Sequence, residues 1–186
     1  MKLLFGNKND DLPHRLKKQD PAAQKIFYDR NVKKFLSVSR SYISDVYQAE
    51  DCIIKAFCKI FRSIESFRGE GSLEGWARRI VVNECLNFIR SHKTVFYLDD
   101  IHPEHLEEFE EPRLDADFDA QELLNQLPDN YRMVFNLYVL EDYSHQEIAD
   151  LLNISVAVSK TQLFRAKEKL RKVYSQQQRT LLHEKR

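Results

Sequence analysis

Apolar side chains recur every three or four positions along most of this chain, the spacing that places them on one face of an α-helix. In the first half of the sequence this periodicity predicts helices over about 20–43, 48–66 and 73–92. The first begins with Asp20 and Pro21, an N-cap residue followed by proline, which is a common helix start. Two glycines interrupt the pattern at 67–72, so we predict a loop there.

The helical pattern resumes in the second half of the chain. It predicts a helix from residue 120 to a break at Pro128, then a helix over 131–140 with an inner face of Met133, Val134, Leu137 and Leu140. The intervening segment contains two prolines and no sustained periodicity, which predicts an extended linker.

The segment from Ser144 to Arg171 predicts a helix, a tight turn and a second, basic helix. Asn153 tolerates the left-handed backbone of a sharp helix end, and Ser155 can cap the helix that follows. The second helix carries a set of polar and aromatic side chains beside its apolar face: Lys160, Thr161, Gln162, Phe164, Arg165 and Lys167. Such a helix-turn-helix can insert side chains into a DNA groove. An ordinary amphipathic helix pair with a solvated basic face has the same pattern.

These patterns predict an all-α fold of two small helical domains joined by an acidic extended linker, the second domain containing the helix-turn-helix. The predicted organisation is an N-terminal segment (1–19), a helical domain (20–94), the linker (95–119), the helix-turn-helix domain (120–175) and a polar tail (176–186) that is expected to fray.

The charge is distributed unevenly along the chain, although 29 basic and 29 acidic residues give a net charge of zero. Between Asp99 and Glu122 there are eleven acidic residues and one basic residue, Arg113, so this stretch carries −10 and the remainder +10. Two basic lobes separated by an acidic strap are typical of a nucleic-acid binder whose linker has a role of its own.

Composition excludes several classes of protein. No apolar run approaches the ~20 residues of a membrane span, and the N-terminus lacks the apolar core of a signal peptide, so we expect a cytoplasmic protein. The three cysteines form no CxxC pair and are expected to be buried, reduced thiols. His102 and His105 lie beside glutamates, but the linker offers no scaffold for a metal site, and no metal or other cofactor is expected.

Two helical lobes, an acidic strap and a C-terminal helix-turn-helix together resemble a bacterial sigma factor of the sigma-70 family, extracytoplasmic-function (ECF) type. The resemblance extends from about Asp20 to Val173. It is carried by Ala49-Glu50-Asp51 with Phe57 and Lys59, by FRGEGSLEGWARRIVVNECLNFIR, by LPDNYRMVFNLYVLEDYSHQEIADLLNIS and by KTQLFRAKEKL. It implies a subunit that binds core RNA polymerase and directs promoter recognition, DNA melting and transcription initiation. Such a subunit is not an enzyme and takes no small-molecule substrate.

The resemblance implies that the helix after Ala49 docks on the clamp helices of the large polymerase subunit, with Asp51, Ile54 and Lys55 as contacts. The family usually has glutamine and glutamate at the last two positions, so Lys55 reverses a charge at this interface. One interpretation is a weaker dock, or one tuned to a polymerase with a compensating surface. The other is that Ile54 packs inward and other contacts suffice.

The resemblance assigns the −10 promoter element, as a separated single strand, to the loop and the third helix. The implied contacts are Phe67, Arg68, Ser72, Arg79, Asn83 and Arg90. An extruded base needs aromatic and polar pocket walls, and arginines can hold phosphates. Asn83 has an alternative role as a helix-capping or interhelical contact, and Trp76 is expected in the core.

The −35 element, as duplex DNA, is assigned to the helix from Val156, with Lys160, Thr161, Gln162, Phe164 and Arg165 as contacts. The family often starts this helix with an acidic residue and glycine, where this chain has Val156-Ala157-Val158. Loss of a carboxylate at a helix N-terminus removes a dipole interaction of roughly 0.3–1 kcal/mol.

The family also implies a role for the acidic linker as an RNA mimic in the polymerase channels, where the alternative is a solvated tether. It further implies an anti-sigma protein as a partner.

Two other functions fit parts of the sequence. A stand-alone helix-turn-helix regulator would bind duplex operators, but it leaves the first lobe's loop without a purpose. A metal-dependent nuclease would use the carboxylate run, which lacks spaced ligands on supporting helices.

Overall fold

Helices account for all the regular structure in the described part of the chain. The computed structural model describes residues 12–92 and 120–184, with side chains through 91 in the first range and 176 in the second. Within these ranges there is no strand, so the predicted all-α class is confirmed. The chain divides into two compact units, Met1–Lys93 and Thr94–Arg186. The predicted linker lies outside the described residues.

The described part of the N-terminal unit (Met1–Lys93) contains four helices. They are α1 (Leu12–Lys17), α2 (Pro21–Tyr42), α3 (Val46–Ser63, continued by a 3-10 turn, Ile64–Ser66) and α4 (Leu73–His92). The three long helices lie where the periodicity predicts them. Helix α1 is not predicted, because its six residues are too few to show a helical period. It buries only Leu16, and the Arg15–Asp20 ion pair (2.8 Å) joins its end to the start of α2.

Side-chain carboxylates define where α2 and α3 begin. Asp20 Oδ1 accepts a hydrogen bond from the Ala22 amide at 2.9 Å, and Asp45 Oδ1 accepts one from the Gln48 amide at 2.9 Å. Each bond satisfies a backbone donor that the first turn of a helix cannot pair internally. The helix starts are therefore fixed locally, before any packing between helices.

An aromatic cluster holds α2 against α3. The Phe57 ring lies 5.7 Å from Phe35, 5.9 Å from Phe61 and 6.4 Å from Phe27, measured between ring centroids. Helix α4 packs on both, burying Val81, Val82, Cys85 and Leu86. Burial of each large apolar side chain contributes about 1.5–3 kcal/mol, so this three-helix core is the main source of the unit's stability.

In its described residues, the C-terminal unit (Thr94–Arg186) contains α5 (Ala120–Asn125), α6 (Asp129–Phe135), α7 (His145–Leu152) and α8 (Val156–Glu184). Pro128 separates α5 from α6, as predicted. Helix α8 is longer than predicted. The tail expected to fray after Tyr174 continues as helix to Glu184.

Helix α6 ends in a wider, π-helical turn, Asn136–Leu140. The Glu141 amide donates to the Asn136 carbonyl at 3.1 Å, which is an i→i+5 bond and inserts one residue into the helical period. Met133, Val134 and Leu137 are buried as predicted, but Leu140 is 43% exposed. The prediction for Leu140 is therefore wrong, because the extra residue rotates the end of the segment away from the core.

The turn between α7 and α8 has the predicted backbone. Asn153 has φ 55° and ψ 49°, the left-handed conformation, and its amide donates to the Ala149 carbonyl. Ser155 Oγ then accepts from the Val158 amide at 3.1 Å and caps α8. Helix α7 begins with a capping box between Ser144 and Glu147. A serine three residues before a glutamate is the sequence signal for that box.

Substitution of Asn153 tests how much the left-handed turn contributes to stability. Asn153→Val should lower the free energy of unfolding of the C-terminal unit by about 1–2 kcal/mol, because a β-branched side chain is strained at positive φ. Asn153→Gly is the matched control and should leave it nearly unchanged. Urea unfolding of the full chain, followed by circular dichroism, measures both. Equal losses in the two variants would assign the effect to the amide side chain instead of the backbone.

Candidate polymerase and nucleic-acid interfaces

The outer face of α8 carries four of the five side chains that were assigned to duplex DNA. Lys160 is exposed, and Thr161, Phe164 and Arg165 are partly exposed. Residues three and four apart are neighbours on a helix, so Lys160 and Phe164 lie next to each other along it. Two of the four are oriented by hydrogen bonds: Thr161 Oγ1 donates to the Ala157 carbonyl at 3.0 Å, and Arg165 Nη1 donates to the Tyr131 hydroxyl at 3.2 Å.

Gln162 does not lie on this outer face. Its side chain is only 6% exposed, on the same side of α8 as Ser159, Leu163 and Ala166. At 100° per residue it is about 160° around the helix from Phe164. The assignment of Gln162 to DNA contact is therefore corrected: a polar residue at the edge of the apolar face was counted with the surface, whereas packing of α8 encloses it.

The apolar residues at the start of α8 are not all exposed to solvent. Val156 and Val158 are partly buried, and only Ala157 is exposed. The two valines thus contribute to packing of the helix-turn-helix.

His145 joins the two helices of the helix-turn-helix. Its Nδ1 lies 2.9 Å from the buried Ser159 Oγ, and its ring stacks on Tyr138 at 4.6 Å between centroids. Burial lowers the pKa of His145 below its usual value of about 6.5, and the positive charges of Lys160 and Lys167 act in the same direction. The neutral imidazole is therefore the form that fits this site.

The loop between α3 and α4 exposes most of its residues. Arg68 and Ser72 are exposed, and Ser72 Oγ accepts a hydrogen bond from the Gly75 amide at 2.9 Å. Gly69 and Gly71 have φ values of 81° and 80°, where a residue with a Cβ atom is strained. The glycines therefore permit the backbone path that presents this loop to solvent.

Phe67 is not available on the surface of that loop. It is 6% exposed, and its ring lies 5.7 Å from the Trp76 ring. Trp76, expected in the core, is partly exposed. The assignment of Phe67 as a direct wall for an extruded base is therefore corrected, because the ring anchors the loop against α4.

A polar stripe runs along α4. Arg79, Asn83 and Arg90 are all exposed, and they lie within about 40° of one another at 100° per residue. Asn87 is exposed on the same stripe and was not among the predicted site residues. Its spacing of four from Asn83 was the available signal.

Helix α3 presents apolar side chains to solvent beside charged ones. Ile54 is 59% exposed and Tyr47 is 80% exposed, while Asp51 and Lys55 are exposed as well. The interpretation that Ile54 packs inward is therefore wrong. Tyr47, Asp51 and Ile54 follow the i, i+4, i+7 spacing of one helix face. Tyr47 was not among the predicted contacts, although this spacing marks it.

An apolar groove of about 320 Å³ opens on the C-terminal unit. It is lined by apolar side chains, with Lys167 and Arg171 at the same site: Leu123, Leu124, Phe135, Val139, Leu140, Leu170 and Tyr174.

In the described ranges no group of three or more His, Cys, Asp or Glu side chains is arranged to hold a metal ion. His102 and His105 lie outside those ranges. No helix within the described residues is long and apolar enough to cross a membrane.

Comparisons with known proteins assign a family to this pair of units. The family model described as sigma-70 region 2 matches residues 27–95, and the model described as sigma-70, region 4 matches residues 118–170. Together they cover about two thirds of the chain. The chain belongs to the sigma-70 family.

Similar proteins indicate which type of sigma factor this chain is. The chain is 29% identical to the ECF RNA polymerase sigma factor SigW of Bacillus subtilis, over 85% of this chain and 92% of the relative. It is 27% identical to the ECF RNA polymerase sigma-E factor of Haemophilus influenzae, over 84% and 90%. It is 28% identical to the RNA polymerase sigma factor SigV of Bacillus subtilis, over 74% and 82%. These matches make this chain a sigma factor of the ECF type.

The His145 site predicts a pH dependence for this sigma factor. Because the folded-state pKa of His145 lies below the unfolded value near 6.5, the unfolded chain binds more protons as the pH falls through 6.5. The thermal midpoint of the C-terminal unit should therefore decrease as the pH is lowered from 7.5 to 5.5. His145→Gln should flatten that dependence. An NMR titration of the His145 ring in the full chain measures the pKa directly, and a value at or above 6.5 would contradict the prediction.

Proposed function

We propose that this chain is a promoter-directing sigma factor: it binds core RNA polymerase, recognises two promoter elements and promotes melting of the DNA for transcription initiation. The observation that carries the proposal is the presence, in one chain, of a helix-turn-helix unit and a second helical unit with a glycine loop and a polar helix stripe. RNA synthesis is catalysed by the polymerase, so this subunit performs no chemistry of its own. It acts in the cytoplasm, where its DNA and polymerase partners are.

Helix α8 reads the −35 element in the major groove of duplex DNA. Lys160 and Arg165 donate to base edges or phosphates, and Phe164 packs on sugar or on a thymine methyl group. The exposure of Lys160 and the partial exposure of Phe164 support this assignment. Gln162 takes no part, since it is buried.

The loop and helix α4 bind the −10 element as a separated strand. Asn83 and Asn87 can each present a donor and an acceptor to a base edge, while Arg79 and Arg90 neutralise phosphates. Arg68 and Ser72 contact the strand from the loop. Phe67 acts indirectly by anchoring the loop on Trp76, which the 5.7 Å separation of their rings supports.

The outer face of α3 docks on the polymerase through Tyr47, Asp51, Ile54 and Lys55. Exposed apolar side chains on one face favour burial by a partner, and the 59% exposure of Ile54 supports direct contact. Lys55 places a positive charge where the family usually has an acid. We infer that the polymerase it serves carries a compensating acidic residue, because like charges at an interface oppose binding.

An anti-sigma protein is a further partner in this proposal. The apolar groove of the C-terminal unit would accept the apolar face of a partner helix, and Lys167 and Arg171 would favour acidic residues on that helix.

The acidic linker acts as an RNA mimic in a basic polymerase channel until the transcript displaces it.

Run-off transcription tests the function directly. Purified sigma-free core polymerase from the same source is given a pool of genomic promoter fragments with and without this protein. Discrete transcripts that require the protein are the expected result. If the protein binds duplex DNA tightly but neither binds core polymerase nor yields transcripts, it is instead a stand-alone helix-turn-helix regulator.

Substitution of Lys160 tests the −35 face. Lys160→Ala should weaken binding of a transcribed promoter duplex several-fold, and the slope of log K against log salt should decrease by about 0.9, because one phosphate contact is lost. Lys169→Ala is the matched control: Lys169 is exposed on the same helix but about 180° around it. Fluorescence anisotropy across a salt series measures both. A larger effect in Lys169→Ala would move the DNA face to the other side of α8.

Truncation of Ile54 tests the polymerase face. Ile54→Ala should weaken binding to core polymerase by about tenfold, about 1.4 kcal/mol, because apolar contact area is lost. Its thermal stability should not change, since the side chain is largely exposed. Lys25→Ala on α2, an exposed position, is the control for non-specific loss of charge or bulk. Undiminished affinity of Ile54→Ala in a core-binding titration would remove Ile54 from the dock.

A further inference from the structure

Two cysteines from different helices meet inside the N-terminal unit. Cys52 on α3 and Cys85 on α4 are 2% and 0% exposed, and their Sγ atoms lie 3.6 Å apart. Formation of a disulfide brings two sulfurs to about 2.05 Å, so each sulfur has to move by less than about 1 Å. Side-chain rotation supplies shifts of this size, so the α3–α4 interface holds a dithiol close to bonding distance.

One buried polar side chain, Ser39, lies beside the pair. Ser39 Oγ of α2 lies 3.6 Å from Cys85 Sγ and donates a hydrogen bond to the Ala49 carbonyl at 3.0 Å. Around the edge of the same interface, Lys59 Nζ contacts Glu84 Oε1 at 2.6 Å. Ser39 is therefore a polar side chain in direct contact with the dithiol.

We propose that Cys52 and Cys85 are a reversible dithiol–disulfide pair, which a peroxide oxidises to an intramolecular crosslink between α3 and α4. The cysteines have no part in the proposed promoter or polymerase contacts, so this is a modification site separate from that function. Intracellular disulfides are usually transient and redox-responsive, which is the behaviour expected of this pair.

The reaction has two steps. The Cys52 thiolate attacks one oxygen of hydrogen peroxide and breaks the O–O bond, giving a sulfenic acid on Cys52 and hydroxide, which takes up the proton that the thiol released. Cys85 sulfur then attacks the Cys52 sulfur and displaces the hydroxyl, which leaves as water with the Cys85 proton. Overall, two thiols and one peroxide give one disulfide and two waters.

The pKa values of the two cysteines are shifted in opposite directions. The pKa of the Cys52 thiol is lowered, first because Cys85 can donate a hydrogen bond to its thiolate, and also by Ser39 and Lys55, while burial opposes the shift. The pKa of Cys85 is raised by the same interaction with Cys52 and by burial. These directions favour Cys52 as the thiolate that attacks the peroxide, and the disulfide product is the same whichever cysteine attacks first. Because both are buried, the rate depends on transient opening of the unit.

The crosslink should stabilise the unit and leave its outer faces accessible. It would restrict the unfolded chain by closing the loop between residues 52 and 85, which typically stabilises a domain. Asp51, Ile54 and Asn83 are exposed beside the two cysteines, on the outside of α3 and α4. We therefore expect the oxidised protein to keep its polymerase and DNA binding.

Peptide mapping of the oxidised full chain tests the proposal. The reduced protein is treated with hydrogen peroxide, its remaining thiols are alkylated in denaturant, and its intact mass and peptides are measured. The expected product is a monomer about 2 Da lighter before alkylation, with Cys52 linked to Cys85, only Cys58 alkylated, and full reversal by a thiol reductant. Cys58→Ser is the matched control, because Cys58 is exposed on α3, and it should form the same crosslink.

The same samples distinguish the alternatives. Alkylation of Cys52 and Cys85 after peroxide treatment, with oxidation or dimer formation only through Cys58, would overturn the proposal. Cys52→Ala and Cys85→Ala should both abolish the crosslink, but the mapping of the wild-type chain decides the question even if these buried variants fold poorly. The crosslinked wild-type unit should unfold about 10 °C above the reduced one. An unchanged or lower midpoint would refute the stabilising role, independently of whether the protein directs transcription.

Discussion

The aromatic packing around Phe57 sets the rotation of α3, and the outer faces of the N-terminal unit depend on that rotation. Phe57 contacts rings from both helices: its centroid lies 4.7 Å from Tyr28 and 5.7 Å from Phe35 on α2, and 5.9 Å from Phe61 on α3 itself. A helix with one buried face has its other positions fixed in direction at 100° intervals. The outward position of Asp51 and Ile54 is therefore a consequence of the core, as is the polar stripe on α4, whose opposite side buries Val81 and Cys85.

Sequence patterns predicted the long elements well, because each has enough turns to define a period. Helix α4 has the predicted bounds, 73–92, and the left-handed turn at Asn153 follows from one residue type in one context. Whether a single residue at the edge of a buried face is enclosed or exposed was harder to predict. Gln162 is polar but enclosed, and Phe67 lies in a loop but packs on Trp76. Tertiary packing decides such positions, and neither a 3.6-residue period nor a residue's polarity contains that information.

Two elements escaped the sequence analysis for different physical reasons. Helix α1 is shorter than two turns and owes its position to Leu16 and the Arg15–Asp20 ion pair, which are contacts with the rest of the unit. The π-helical turn at Asn136–Leu140 keeps apolar residues at helical spacing, so the sequence looks continuous. The extra residue is recognisable only from the i→i+5 bond of Glu141, and it turns Val139 and Leu140 toward the apolar groove.

The two departures from the usual ECF pattern have different physical consequences. At the start of α8 two of three apolar residues are partly buried, so Val156 and Val158 strengthen packing where a carboxylate would have interacted with the helix dipole. On α3 Ile54 is 59% exposed, and leaving that apolar surface in water is unfavourable at about 25 cal/mol per Å². A partner that buries Ile54 recovers this free energy. Hydrophobic burial of this kind is non-directional, so in the polymerase dock proposed above the specificity would come from the charges beside Ile54, those of Asp51 and Lys55.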